Sequence, residues 1–247
     1  MNILKILRKG SPLLAVLFAM VVLVLAPFWA LEWYHTPFLG LFIEPNMVVS
    51  QIGAEDWPAR QAGIGLADQL LSVNGQPVAS VGALERVLKT NSEAPVQLEF
   101  VRPQMGVITI TVQPRQVSLG DLFKFFGVPY LVGLILLLSG IWVYRMGGDQ
   151  RPVRGYLFFT ASLSLMSSAF LDMNTTHHFS LGWTLSLSFA AASLAYLAMV
   201  FPKPVYLVDR FPYARFIPWI LALPLILAGG REILFPSDPR GYVRVWL

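Results

Sequence analysis

Long stretches without charge alternate with short basic links along this chain, and only the interval from Glu32 to Leu122 has the mixed texture of a fold built for water. Apolar runs cover Ser11 to Leu31, Phe125 to Tyr144, Gly155 to Leu171, Ser180 to Phe201 and Phe216 to Gly230. A helix needs about 20 mostly apolar residues to cross the roughly 30 Å hydrocarbon core, because only a helix satisfies its own backbone polar groups there. Four runs meet that length; the fifth lies between Arg215 and Arg231 and meets it when those arginines snorkel to the headgroups. The chain therefore divides into a basic N-terminus 1–10, spans 11–31, 123–144, 155–172, 180–201 and 214–234, an inserted region 32–122 and a tail 235–247. The expected fold class is an α-helical multi-pass membrane protein of about five transmembrane helices with an inserted α+β domain.

The insert changes periodicity from helical to two-fold. Val48–Ile52 and Gln69–Asn74 read as short strands, Pro95–Val101 and Val107–Val112 as longer ones. The last alternates Ile108, Ile110 and Val112 with threonines, the pattern of a half-buried strand. "RPQMG" (Arg102–Gly106) supplies a hairpin turn. Ser80–Thr90 puts Val81, Leu84, Val87 and Leu88 on one helical face, with Ser80 placed to cap the first turn. "PARQA" opens a short helix at Pro58, where a missing amide costs least. These pieces make a small, partly open β-barrel with two helices.

"PARQAGIGLADQLLSVNGQPV" carries the specific signal. With Ala62, Gly63, Asp68, Asn74, Gly75, Pro77 and Val78 in register, it resembles a PDZ domain of the bacterial kind found in envelope proteases, over roughly Pro37 to Pro114. Ala67 departs from the pattern: it stands where the family usually has the glycine of Gly-Asp, so the turn is expected to be tighter or rebuilt around Gly65. The resemblance implies a groove between an edge strand and the second helix, where an extended peptide adds itself as a strand and backbone amides capture a terminal carboxylate. It implies that Leu39, Gly40, Leu41 and Phe42 supply the amides and an apolar pocket, that Ile43 begins the pairing strand, and that Leu84, Leu88 and Val87 form the opposite wall. Glycine at position 40 lets the backbone approach the carboxylate. The competing reading of "FLGLF" is an interfacial apolar patch, because short apolar runs are ambiguous by pattern alone.

Charge then orients the whole. Lys5, Arg8 and Lys9, the link with Arg145, Arg151 and Arg154, and the link with Lys203, Arg210 and Arg215 all fall on one side by the positive-inside rule. "DMNTTHHFS" has no lysine or arginine, and the insert is rich in acid, so both face outward. Trp29, Trp33, Tyr34, Trp142 and Tyr144 suit the interfacial belts. The first run exceeds the 7 to 15 residues of a signal peptide and lacks an A-x-A-like site, so an uncleaved anchor is expected. The location this implies is the bacterial cytoplasmic membrane, with the N-terminus cytoplasmic and the insert outside. A formal net charge of +4 does not signal nucleic acid, since the basic residues cluster beside apolar runs.

The composition also narrows the chemistry. There is no cysteine, which excludes disulfides, thiolate metal sites and a cysteine nucleophile. The three histidines, His35, His177 and His178, cannot build His-Glu-x-x-His, and no nucleophile elbow, Walker loop or kinase signature is present. The chain is read as having no catalytic residues, no metal site and no cofactor. Asp172, His177 and His178 are weighed as a metal or pH-sensing group against an ordinary polar loop, and the polar loop is favoured. Ser164 with Ser168 and Ala191 with Ala195 are spaced for close helix approach, within the bundle or in an oligomer. The end "RVWL" places Val245 and Leu247 two apart, as in a PDZ ligand, although with 55% apolar residues chance supplies such a pair about three times in ten. The abrupt end also suits a piece of a longer chain. The partners expected are the lipid bilayer and a peptide or protein C-terminus in the groove. The arrangement resembles the input half of membrane sensor kinases or phosphatases; the alternatives are a non-catalytic or truncated part of a protease system, or a scaffold.

Overall fold

The computed structural model describes residues 3–52, 55–90, 94–235 and 238–241. In chain order the elements are α1 (Ile3–Tyr34), β1 (Leu41–Ile43), β2 (Val49–Ile52), α2 (Pro58–Gln61), β3 (Gln69–Val73), β4 (Gln76–Pro77), α3 (Val81–Thr90), β5 (Val96–Arg102), β6 (Gly106–Val112), α4 (Leu119–Leu122), α5 (Val128–Gly147), α6 (Arg151–Ser168), α7 (Phe170–Asn174), α8 (Ser180–Val200), α9 (Tyr206–Arg210) and α10 (Ile217–Leu234). They fall into two compact units, a strand-rich one of Phe28–Phe125, Leu171–Ser180 and Arg231–Leu247, and a helical one of Met1–Pro27, Phe126–Phe170 and Leu181–Gly230.

In the strand-rich unit β1 and β2 form one antiparallel pair, and a second sheet runs in the order β4-β3-β5-β6. A single bridge, Val48 to Gln69, links them. Alternation along β5 buries Val96, Leu98 and Phe100 in a core shared with Leu70, Val73, Val49 and the inner residues of α3. On β6, Ile108 and Ile110 pack against this core from half-buried positions. Asn74 and Gly75 take φ of 50° and 73°, the left-handed pair that a two-residue hairpin loop requires. The Asn74 side chain then accepts from the Gln97 amide at 2.8 Å, tying the turn to β5.

The turn before β3 is built differently from expectation. It is not rebuilt around Gly65: Ala67 itself adopts φ 62°, a left-handed conformation that glycine takes at far lower cost. The buried Asp68 carboxylate closes the turn, accepting from the Gly65 amide at 2.8 Å and from Arg102 Nη2 at 2.7 Å. Arg240 Nε and Nη2 also donate to the carbonyls of Ala67 and Val101, each at 3.2 Å. Val245 and Leu247 of the end motif lie outside the described residues.

The helical unit is built the other way round. Four helical segments, Ser11–Tyr34, Leu119–Gly147, Ser180–Val200 and Pro212–Leu234, are long and apolar enough to cross a membrane. Helix α6, the expected third span, is not among them. It starts at Arg151, and its inward side carries Thr160, Ser162, Ser164 and Ser168, all buried. Ser168 Oγ is satisfied by bonding back along its own helix to the Ser164 carbonyl at 2.7 Å, whereas Ser164 Oγ is buried without a hydrogen-bond partner among the described residues. Glycine makes the approach of α5 to α6 possible: a Cβ on Gly133 would lie 2.9 Å from the Ser164 carbonyl oxygen. Leu131, Ile135 and Leu138 of α5 point outward. In α8 the buried small residues include Thr184, Ser186, Ser188, Ala190, Ala192 and Ser193, while Ala191 and Ala195 face out.

Candidate functional site: the groove between β1 and α3

The groove belongs wholly to the strand-rich unit. One wall is Leu39, Leu41 and Ile43 at the start of β1, and the other is Val81, Leu84 and Leu88 of α3. The helical residues stand three and four apart and so share a face. The Ser80 hydroxyl accepts from the Ala83 amide at 3.3 Å, which starts the helix where this face needs it. Among the described residues β1 pairs only with β2. Strand groups point alternately to either side, so the backbone of Leu41 and of Ile43 shares the edge away from β2.

Gly40 shapes the head of the groove. Its φ is 82°, and a Cβ there would lie 2.7 Å from Pro58 Cδ. The residue is therefore glycine because α2 packs against it, whatever binds in the groove. The Leu39 carbonyl accepts from the Ala59 amide at 3.1 Å. Across the planar peptide the Gly40 N–H points the opposite way, away from α2.

Two residues expected on the walls lie elsewhere. Phe42, fully buried, enters an aromatic cluster, 5.5 Å from the Trp57 ring and 5.3 Å from Phe125. Val87 faces the side of α3 near Gln76 and Pro77. Ala62, Gly63, Asp68, Asn74, Gly75 and Pro77 build the turns around β3 and β4 and do not line the groove. Val81, Thr36, Asn174 and Thr175 do line it. Val81 was legible in the helical period; Thr36 and Thr175 sit in a bend and a turn and Asn174 ends the short α7, none with a periodic signal.

The segment after α7 reaches this groove. His177 Nε2 lies 2.7 Å from the carbonyl of Ile43. A carbonyl only accepts, so the imidazole carries its proton at Nε2, and Nδ1 meets the Ser180 hydroxyl at 3.2 Å. Asn174 and Thr175 close over the same space, leaving a cavity of about 60 Å³, small beside the roughly 300 Å³ at which ligand sites begin. Asp172 fixes the shape of this loop. Its carboxylate is buried and accepts from the amides of His178 and Phe179 at 2.8 and 2.7 Å and from the Thr176 hydroxyl at 2.7 Å.

Burial holds His177 well below the ordinary imidazole range, at about 4, against the raising effect of its bond to Ile43 and with a further lowering from His178. Glu44, the next residue after the bonded carbonyl, is pushed up to about 7 by burial. The other histidine stays on the rim, with His178 Nε2 at 3.2 Å from Glu32. Among the described residues no group of three histidine or acidic side chains is placed to hold a metal ion.

The chain matches no protein-family model and no curated protein. Among solved structures it is similar to a crystal structure of the HtrA3 PDZ domain bound to a phage-derived ligand (FGRWV), at 26% identity and a TM-score of 0.27, over 33% of this chain and 86% of that one.

Proposed function

We propose that this chain is a multi-pass protein of the bacterial cytoplasmic membrane whose PDZ-like module lies outside the cytoplasm and binds an extended or C-terminal peptide. The carrying observation is the apolar groove beside the outer edge of β1, walled by Leu39, Leu41 and Ile43 against Val81, Leu84 and Leu88. A strand that enters there gains main-chain hydrogen bonds from β1, while the wall selects apolar side chains at alternate positions. The Gly40 amide, turned away from α2, suits the end of such a strand when it carries a carboxylate. Orientation follows the basic links, and the five-run parse places α6 among the spans despite its polar inner side. The module and helices together act as the input part of a signal-transduction protein, with occupancy passed through the chain to the helices.

The test is a display library of peptides with free and with amidated C-termini, panned against the whole chain in lipid nanodiscs. Enrichment of apolar-ended free peptides, lost when Val81 is changed to Arg, is expected. Failure of every pool to enrich, with the groove known to be open, removes the reading.

A further inference from the structure

We infer that the loop Leu171–Ser180 is a built-in plug, the resident occupant of the groove, which an incoming strand must displace; this rests on the groove being the peptide site.

Three observations from different parts of the unit carry the inference. The first concerns hydrogen bonding. A strand added to β1 needs the outward acceptors of that strand, and the Ile43 carbonyl is already bonded to His177 Nε2 at 2.7 Å, from 134 residues away in the chain. The imidazole N–H stands where an added strand would put its amide. The second is space: Asn174 and Thr175 lie against the wall residues Leu39, Leu84 and Leu88, and what remains is about 60 Å³. The third is backbone geometry. His177 holds φ 60°, a left-handed conformation that histidine, asparagine and aspartate enter more readily than other side-chain-bearing residues but still uncommonly, and its own amide is tied to the Asp172 carbonyl at 2.8 Å. Strain of this kind persists only where the surroundings enforce it, and here its effect is to aim the imidazole at β1.

The plug is rigid in itself. Asp172 accepts three bonds from within the loop, so its shape does not depend on the groove and it can leave as a piece. It also runs directly from α7 into α8. Displacing the plug therefore moves the chain at the start of α8, a direct route from groove occupancy to a helix long and apolar enough to cross a membrane.

The chain has no cysteine, so a single Val81→Cys substitution gives one maleimide-reactive thiol on the groove wall. Labelling of the whole chain in nanodiscs is followed with and without His177→Ala, and with His177→Gln, which keeps a side-chain N–H donor. Removing one buried hydrogen bond is expected to raise the labelling rate roughly fivefold. The glutamine variant is expected to stay within about twofold of the parent, since it retains the donor. A thermal melt of each variant checks that the unit remains folded. Unchanged labelling in a folded His177→Ala chain overturns the plug, whether or not peptides bind. Faster labelling supports it, and the same variant panned against the peptide library tests the site: enrichment upholds both, whereas an opened groove that binds nothing keeps the plug and ends the peptide reading.

Discussion

The two units of this chain bury different mixtures of side chains. In the strand-rich unit the fully buried side chains are large and apolar, Trp57, Phe42, Phe100, Leu70 and Leu98 among them. In the helical unit Ser164, Ser193, Thr184, Ser188 and Thr160 are at or near zero exposure beside Ala19, Leu157 and Ala169, while Ile135, Leu221 and Leu227 point out. Water drives apolar surface inward in the first case. Where the surroundings are apolar that drive is gone, and helices associate through close packing of small residues. Small hydroxyl side chains thus make up much of the buried part of the helical unit, whereas in the strand-rich unit the large apolar ones dominate.

Truncation should separate the units most sharply. Phe100→Ala is expected to cost about 3–5 kcal/mol, whereas Ile135→Ala on the outer face of α5 should stay within about 0.5 kcal/mol. Unfolding of the full chain in micelles, followed by tryptophan fluorescence, measures both, and equal losses would break the contrast. The reverse test adds a methyl group. Gly133→Ala forces a Cβ against the Ser164 backbone and should cost about 1–3 kcal/mol. Gly82→Ala, on α3 with open space around it, should gain about 0.5–1 kcal/mol from the helix.

A third comparison uses protons within the strand-rich unit. His177 titrates near 4 in place and 6.5 when free, so its contribution is complete above about pH 6.5 and is lost as pH falls toward 4. Glu44 titrates near 7 in place and 4.5 when free, so its contribution is present at low pH and lost as pH rises from 4.5 through 7. The two slopes oppose each other between 4.5 and 6.5. The parent chain should therefore show a shallow pH profile of melting temperature there. Glu44→Gln should reveal stability rising with pH, and His177→Gln stability falling; parallel profiles in the two variants would sink the assignment. Ser180 meets the His177 imidazole and His178 acts on it from the next position, with Glu32 and Asp172 beside His178, and all are retained in both variants. The smallest effect concerns Ala67. Ala67→Gly relieves a left-handed alanine worth about 1–2 kcal/mol but adds backbone freedom worth about 0.5–1 kcal/mol when unfolded, a net gain near 0.5 kcal/mol in chemical denaturation.

Local signals explain what could be read in advance. The strand Gln69–Val73, the Asn74–Gly75 turn and the helix ending at Thr90 each carry their pattern within a few residues, so their elements were visible. Position within a helix was harder: Val81, Leu84, Val87 and Leu88 fit one broad face, and only packing decides that Val81 lines the groove and Val87 does not. The short apolar run at residues 38–43 could not reveal which side chains turn inward, and Phe42 joins the aromatic cluster rather than the groove wall. The run from Gly155 to Leu171 reads as a span from its lack of charge, but α6 begins at Arg151 and its serines and threonine dilute its apolar content, so it is not among the segments long and apolar enough to cross a membrane. The bond from His177 to Ile43 has no sequence signal at all, since it joins residues 134 apart through a left-handed backbone in a polar loop.

The carboxylate of Asp172 has a consequence for sensitivity. In the plug we propose, the loop that this carboxylate holds in one shape would lose little freedom on seating and would compete at an effective concentration of roughly millimolar order. A free peptide must outcompete that constant presence. On that proposal the groove would answer only above a threshold set by the chain itself, and scarce or weakly matching ends in the surroundings would leave it silent.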